Sequence, residues 1–197
     1  MDVITSEKLQ KILRKCVKNY TATAAIAEIV KQINMMTADR NEAAMFLAHL
    51  IHESRAFDLM EIYSARFYTG HKHGDFQGRG YIMLTSEFNY GPASKDIFGD
   101  NRLVSNPELV AADLVIGMSV AVWFWEKIVR PKAAPFNTFY ATTRTIKNVI
   151  KPFQERPYAG IRYQYYLKAA EVLRIQPESW PALLVIFESI ESVEVTQ

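Results

Sequence analysis

The sequence predicts a mainly α protein. Apolar residues recur at the helical period of 3.6 along most of the chain, cap residues and prolines punctuate those runs, and only one short stretch reads as β. From Ser6, a plausible cap, Leu9, Ile12, Leu13, Cys16 and Val17 form one amphipathic stripe. A second stripe from Thr23 carries Ile26, Ile29, Val30 and Ile33. A third starts near Thr37 or Asp39 and runs through Ala43, Phe46, Leu47, Leu50 and Ile51, so that Glu53 falls at or just past its end. Gly70, Gly74, Gly78 and Gly80 then break regular structure and predict a loop, a usual carrier of functional residues. Tyr81 to Thr85 is the candidate strand. Asn106-Pro107 reads as N-cap and first residue of a helix, and Met118 to Val129 as a helix buried nearly all round. Pro131 and Pro135 break the chain. A helix through Phe139, Thr143, Ile146, Val149 and Ile150 should stop before Pro152, and a last large helix carries Ile161, Tyr165, Leu167, Ala170 and Val172.

The chain has 197 residues, 49% apolar and 22% charged, which suits one enzyme-sized body. The expected division is a domain over 1–175 and a C-terminal segment over 176–197, either a docked helix or a partner-binding tail. A net charge of +2 without a basic run argues against a nucleic-acid partner and favours a neutral substrate. Cys16 is the single cysteine, so no intrachain disulfide forms, which points towards a reducing compartment. The opening residues lack the continuous apolar run of a signal peptide, although a cleaved leader is compatible with the sequence. The longest apolar stretches fall short of the roughly 20 residues that a membrane span needs, so a soluble protein is expected.

His52-Glu53-Ser54, where a long apolar helix gives way to a glycine-rich loop, is the sharpest chemical feature. A carboxyl at a helix C-terminus faces the negative end of the macrodipole, which favours its neutral form and suits a general acid. His71 and His73 form His-x-His with Asp75 nearby, but no third His or Cys completes a zinc set, so they read as loop residues.

Four further motifs follow in order: Gly78-Arg79-Gly80 before an apolar run, Asn89-Tyr90-Gly91-Pro92, Asn106-Pro107-Glu108-Leu109-Val110-Ala111, and Trp123-Phe124-Trp125. Together with AAMFLAHLIHES upstream, this segment closely resembles the central part of family 19 chitinases. The resemblance is dense over Asn41 to Trp125 and weaker from Ile4 and onward to about Leu173. It implies a bilobal lysozyme-like fold, with a small β element beside the substrate cleft, and an endo-acting inverting hydrolase of β-1,4-linked N-acetylglucosamine polymers. It implies no cofactor or metal, and the expected state is a monomer.

In that resemblance Glu53 takes the place of the general acid, Thr85 of the hydroxyl that helps hold the attacking water, and Asn89 of a substrate-binding amide. Glu61 is the choice for the second carboxylate, with Asp58 and Asp75 as alternatives. Inverting enzymes set two such carboxyls about 6.5–9.5 Å apart to leave room for water. Substrate contacts are expected from His52, Arg79, Met83, Asn89, Tyr90, Lys147, Asn148 and Arg162. Phe88, Tyr90 and Tyr81 either stack on sugar faces or belong to the core. Arg79 and Arg162 pair with Glu53 or Glu61, and Arg162 is expected beside the base, because an arginine favours the ionised carboxylate. Two departures stand out. Met83 occupies a position where the family usually has glutamine, and Ile146-Lys147-Asn148 stands near the family's Ile-Asn-Gly. The competing expectations are a peptidoglycan-cleaving endolysin, since ITSEKLQKIL resembles the endolysin N-terminal helix, and a chitin-binding protein without turnover.

Overall fold

The computed structural model describes residues 2–18, 20, 25–58, 76–136, 138–147 and 156–177, and the side chains of these apart from 147 and 156–159. Its elements are helical: α1 Ser6–Cys16, α2 Ile26–Met36, α3 Arg40–Glu53, α4 Glu87–Phe98, α5 Arg102–Ser105, α6 Leu109–Ala112, α7 Leu114–Phe124, a π-helical turn Trp125–Val129, α8 Arg130–Ala133, α9 Phe139–Lys147 and α10 Arg156–Leu173. None of the described helices is long and apolar enough to cross a membrane.

The organising element is α3. Every residue from Glu42 to Ile51 is buried, so this helix is wrapped on all sides rather than along one stripe. Asp39 starts it, its side chain accepting from Asn41 N at 2.7 Å. Among the described elements α10 makes its most extensive packing against α3, while α1 also rests on α10, and α2 and α4 rest on α7. The buried face of α10 is Arg162, Tyr166, Ala169, Ala170 and Leu173, which recurs at four, seven, eight and eleven residues. Of the expected stripe Ala170 is fully buried on this face, Tyr165, Leu167 and Val172 are half-buried and Ile161 is 44% exposed, while a buried arginine holds a core position.

Other boundaries also differ from the sequence reading. Thr5, not Ser6, caps α1 by accepting from Lys8 N. No side-chain cap is found at Asn106; instead Asp113 interrupts the run and caps α7, accepting from Val115 N at 2.7 Å and Ile116 N at 3.0 Å. Helix α4, for which the sequence offered a motif and no element, runs through Gly91-Pro92. Pro92 lacks the N–H that would meet the Phe88 carbonyl, and Phe88 is exposed, where water can satisfy that oxygen. The strand expected over Tyr81 to Thr85 is a tight loop closed by a single bridge, Leu84 N to Arg79 O at 2.8 Å and Arg79 N to Leu84 O at 3.2 Å. Tyr81, Ile82, Met83 and Leu84 are all buried. Pro131 lies inside α8 near its start, where a missing N–H costs least. Residues 178–197, Glu61, His71, His73, Asp75 and Asn148 lie outside the described residues.

The π-helical turn has a clear job. It brings Trp125 and Arg130 onto the same buried oxygen, Glu42 Oε1, at 2.9 Å and 2.7 Å. Arg130 also donates to the Met36 carbonyl at 3.0 Å and to Glu126 at 3.1 Å. A buried carboxylate is tolerable when paired and hydrogen-bonded in this way, and the network ties α3, α8 and the end of α2 together.

Candidate active site

Glu53 is the last residue of α3, and its side chain is only 11% exposed. Arg162, fully buried on α10, brings Nη2 to 2.6 Å from Glu53 Oε1. The approach is close but poorly aligned for a hydrogen bond, so the two meet chiefly as charges. On its other side, Arg162 Nη1 lies 3.4 Å from His49 Nδ1. Arg162 is thus found on Glu53, whereas the sequence reading favoured the second carboxylate as its partner. Glu61, the choice for that group, is outside the described residues. Asp58 is exposed, in the turn just after Glu53.

That turn is shaped by Ser54. Its hydroxyl donates to the Leu50 carbonyl at 2.7 Å and accepts from Phe57 N at 2.8 Å, while Ala56 N reaches back to the Ile51 carbonyl at 2.8 Å. Arg55, Ala56 and Phe57 all have positive φ, at 50°, 62° and 69°. For residues with a Cβ, each such conformation costs about 1–2 kcal/mol. Three in succession right behind Glu53 put strain at the helix end, where strained backbone often accompanies a functional group.

The second part of the site is the start of α4. Ser86, also at positive φ (74°), receives the chain there, its N–H donating to the Phe76 carbonyl at 2.9 Å. Asn89 Nδ2 donates to the Thr85 carbonyl at 2.8 Å, which fixes Thr85 against the first turn of α4. Thr85 and Asn89 are both half-buried, and Phe88 beside them is 90% exposed. Phe57, four residues after Glu53, meets Tyr81, four before Thr85, edge-on at 5.2 Å. That contact links the turn behind the carboxyl to the loop that precedes the hydroxyl.

Several assigned substrate contacts take other places. Tyr90 is fully buried, its hydroxyl donating to the Gln77 carbonyl at 3.0 Å and its ring set edge-on to Phe76, so it belongs to the core and cannot face a polymer. Tyr81 is core as well, and burial pushes its hydroxyl up to about 12. Met83 and Arg79 are buried in the tight loop. His52 is half-buried, 6.4 Å from the Tyr165 ring, and Lys147 ends α9. Of the three aromatics considered for sugar stacking, Phe88 alone is placed to meet a ligand. Among the described residues no group of three His, Cys, Asp or Glu is placed to hold a metal ion.

Sequence reasoning missed one member of this constellation, His49, which sits in an apolar run and reads as core; the one available signal was its spacing, one helical turn before Glu53. Ser54 stands in the His52-Glu53-Ser54 motif, but its shaping of the turn is visible only in the structure.

A central helix buried on all sides, ending in a shielded glutamate and packed against a long partner helix, defines a mainly helical protein. The solved structure of a family 19, class IV chitinase from Zea mays superposes with a TM-score of 0.69 at 23% identity, covering 91% of this chain and 96% of that one. A bacterial family 19 chitinase gives a TM-score of 0.71 at 21% identity, covering 90% and 98%. Likeness at these identities speaks to the fold. In sequence, the profile described as chitinase class I, glycoside hydrolase family 19, matches residues 54–143. Endochitinase A of Zea mays is 32% identical over 148 residues, which are 70% of this chain and 51% of the relative. Residues 54–143 thus carry the likeness to glycoside hydrolase family 19, and the chain spans about half the length of the curated relatives it matches.

Proposed function

We propose that this protein is an endo-acting glycoside hydrolase that cleaves the β-1,4 linkages of chitin or a closely related N-acetylhexosamine polymer, with inversion. The observation that carries the reading is the shielded carboxyl of Glu53 at the end of α3, held against Arg162. The endochitinase names of the relatives agree with it.

Two opposed influences act on Glu53. The helix end disfavours its charge, and the Arg162 guanidinium favours it. A general acid must hold a proton in the ground state and release it in the transition state. As the proton passes to the glycosidic oxygen, negative charge grows on Glu53 directly opposite a fixed, desolvated guanidinium. An interaction that strengthens as charge develops is the kind that accelerates a reaction. Arg162 beside the acid therefore has a rationale of its own: it makes Glu53 a stronger acid at the moment of transfer.

Water must arrive on the opposite face of the sugar, activated by a second carboxylate. Glu61 is proposed for that role, and the Thr85 hydroxyl for orienting the water. Asn89 and the exposed ring of Phe88 supply an amide for the N-acetyl group and an apolar face for a sugar ring. The test is turnover of chitin hexamer and of peptidoglycan by the wild-type chain, alongside retention on insoluble chitin. Cleavage of the hexamer to α-anomeric products, with peptidoglycan untouched, is expected. Peptidoglycan cleavage alone would make the protein an endolysin-type enzyme, and chitin retention without turnover would make it a binding protein.

A further inference from the structure

Within the buried stretch Glu42 to Ile51 only two side chains carry polar groups, Glu42 and His49, two helical turns apart. Each engages an arginine delivered by a later element. Glu42 holds Arg130 in a network that serves the packing of α3. His49 holds Arg162, the residue that faces Glu53.

The chemistry of the two partners settles how His49 is protonated. A guanidinium has donors only, so Arg162 Nη1 donates and His49 Nδ1 accepts. The ring hydrogen therefore sits on Nε2, which donates to Thr142 Oγ1 at 2.8 Å. Thr142 passes its own hydrogen to the Phe139 carbonyl at 2.7 Å. The ring is clamped besides, stacked on Phe139 at 4.8 Å and 7° and tilted against Trp125 at 6.0 Å. A chain of fixed contacts thus runs from the α9 backbone through Thr142, His49 and Arg162 to Glu53. At 3.4 Å the His49–Arg162 contact is long, so its contribution is directional more than energetic.

We propose that His49 is a positioning residue for the proton-donating step. By accepting from Nη1 it fixes the plane of the Arg162 guanidinium, and Nη2 then holds the Glu53 carboxyl in one orientation. This rests on the reading of Glu53 as the general acid. An apolar residue at position 49 would fill the same space and leave Arg162 free to rotate about its last bonds. A misplacement of about 1 Å at a reacting group can cost about 100-fold in rate.

Kinetics on chitin hexamer with His49→Leu, His49→Asn, His49→Gln and Glu53→Gln, together with thermal melting, test this. The Asn Oδ1 falls near the place of Nδ1 and keeps the acceptor for Arg162; the Gln amide nitrogen falls near Nε2 and keeps only the contact to Thr142. We expect His49→Leu to lower kcat by about 10- to 100-fold with KM within about twofold, and His49→Asn to recover most of that loss where His49→Gln does not. A residue that merely packs would move the melting temperature and leave kcat of the folded protein alone. If His49→Leu does not fold, Asn against Gln carries the test, with kcat about tenfold higher for Asn as the expected result. Wild-type kcat in His49→Leu, or equal kcat in the Asn and Gln variants, with Glu53→Gln inactive, would overturn the inference and leave the acid assignment standing. A wild type without turnover, or an active Glu53→Gln, would overturn the acid assignment and this inference with it.

Discussion

Replacing Arg162 with methionine removes a buried charge and keeps much of the stem's volume, and the consequence can be worked through. Glu53 then lies 11% exposed without its guanidinium. Removing one partner of a buried pair costs about 3–5 kcal/mol, because the other charge is left desolvated. A carboxylate has a way out, however: it can take up a proton. At pH 7 protonating a carboxyl of ordinary pKa costs about 4 kcal/mol, and at pH 5 about 1 kcal/mol. These figures set a ceiling on the electrostatic part of the defect, to which the stranded His49 acceptor adds about 1 kcal/mol. In the variant the folded-state pKa of Glu53 rises above its unfolded value, so stability should be retained at low pH and lost as pH rises. Urea unfolding of wild type and Arg162→Met at pH 5 and pH 7 measures it. The defect should grow by about 2–3 kcal/mol between the two, and adding Glu53→Gln should abolish that growth. A defect that is the same at both pH values, or that survives Glu53→Gln unchanged, would refute the electrostatic account of this pair.

Other consequences are open to simpler measurements. Gly80 and Gly99 both have positive φ, at 72° and 77°, but a Cβ at Gly80 would stand 2.9 Å from Val110 Cγ1 while one at Gly99 meets nothing within 4 Å. Gly99→Ala should cost about 1 kcal/mol, or about 2–4 °C in melting temperature, and Gly80→Ala at least twice as much; equal losses would contradict the close packing of the Gly-Arg-Gly turn. Arg55→Gly relieves an exposed left-handed residue behind Glu53 and should raise stability by about 0.5–1 kcal/mol, after the greater freedom of glycine in the unfolded chain is subtracted. A drop in melting temperature would show that the turn is not strained there. Burial raises the Tyr81 hydroxyl from 10.0 to about 12, so the unfolded chain ionises first and stability should fall as pH rises from 10 to 12. Tyr81→Phe should show a shallower alkaline decline by circular dichroism, and an unchanged decline would rule the tyrosine out as its source.

Much of the frame could be read from periodicity, because α1, α2 and α3 bury most of the residues their stripes single out: Leu9, Ile12 and Leu13, with Cys16 and Val17 half-buried, then Ile26, Ile29 and Ile33, with Val30 half-buried, then the apolar run ending at Ile51. Errors arose where a polar residue occupies an apolar slot or a local signal misleads. On α10 the core position taken by Arg162 cannot be told from a solvated arginine by hydropathy, and the expected stripe meets the buried face only at Ala170. Gly91-Pro92 lies inside α4 against its poor helical propensity, and nothing in Trp125 to Val129 announces a π-helical turn. Glu53 was legible as the end of α3 because apolar periodicity stops there. The part of His49 was not, and the choice of Glu53 over Glu61 as the partner of Arg162 was not, because these contacts join residues more than a hundred positions apart and only the packing of α10 on α3 brings them together.

The central claim is that Glu53 donates the proton, and the most direct test compares wild type with Glu53→Gln on chitin hexamer, following the anomer of the fresh product by NMR. The glutamine keeps the shape of the side chain and an acceptor for Arg162 but has no acid to give. The account predicts α-anomeric product from the wild type and a loss of kcat of at least about 100-fold in the variant, with the fold intact by circular dichroism. Turnover by Glu53→Gln at a rate near that of the wild type would contradict it.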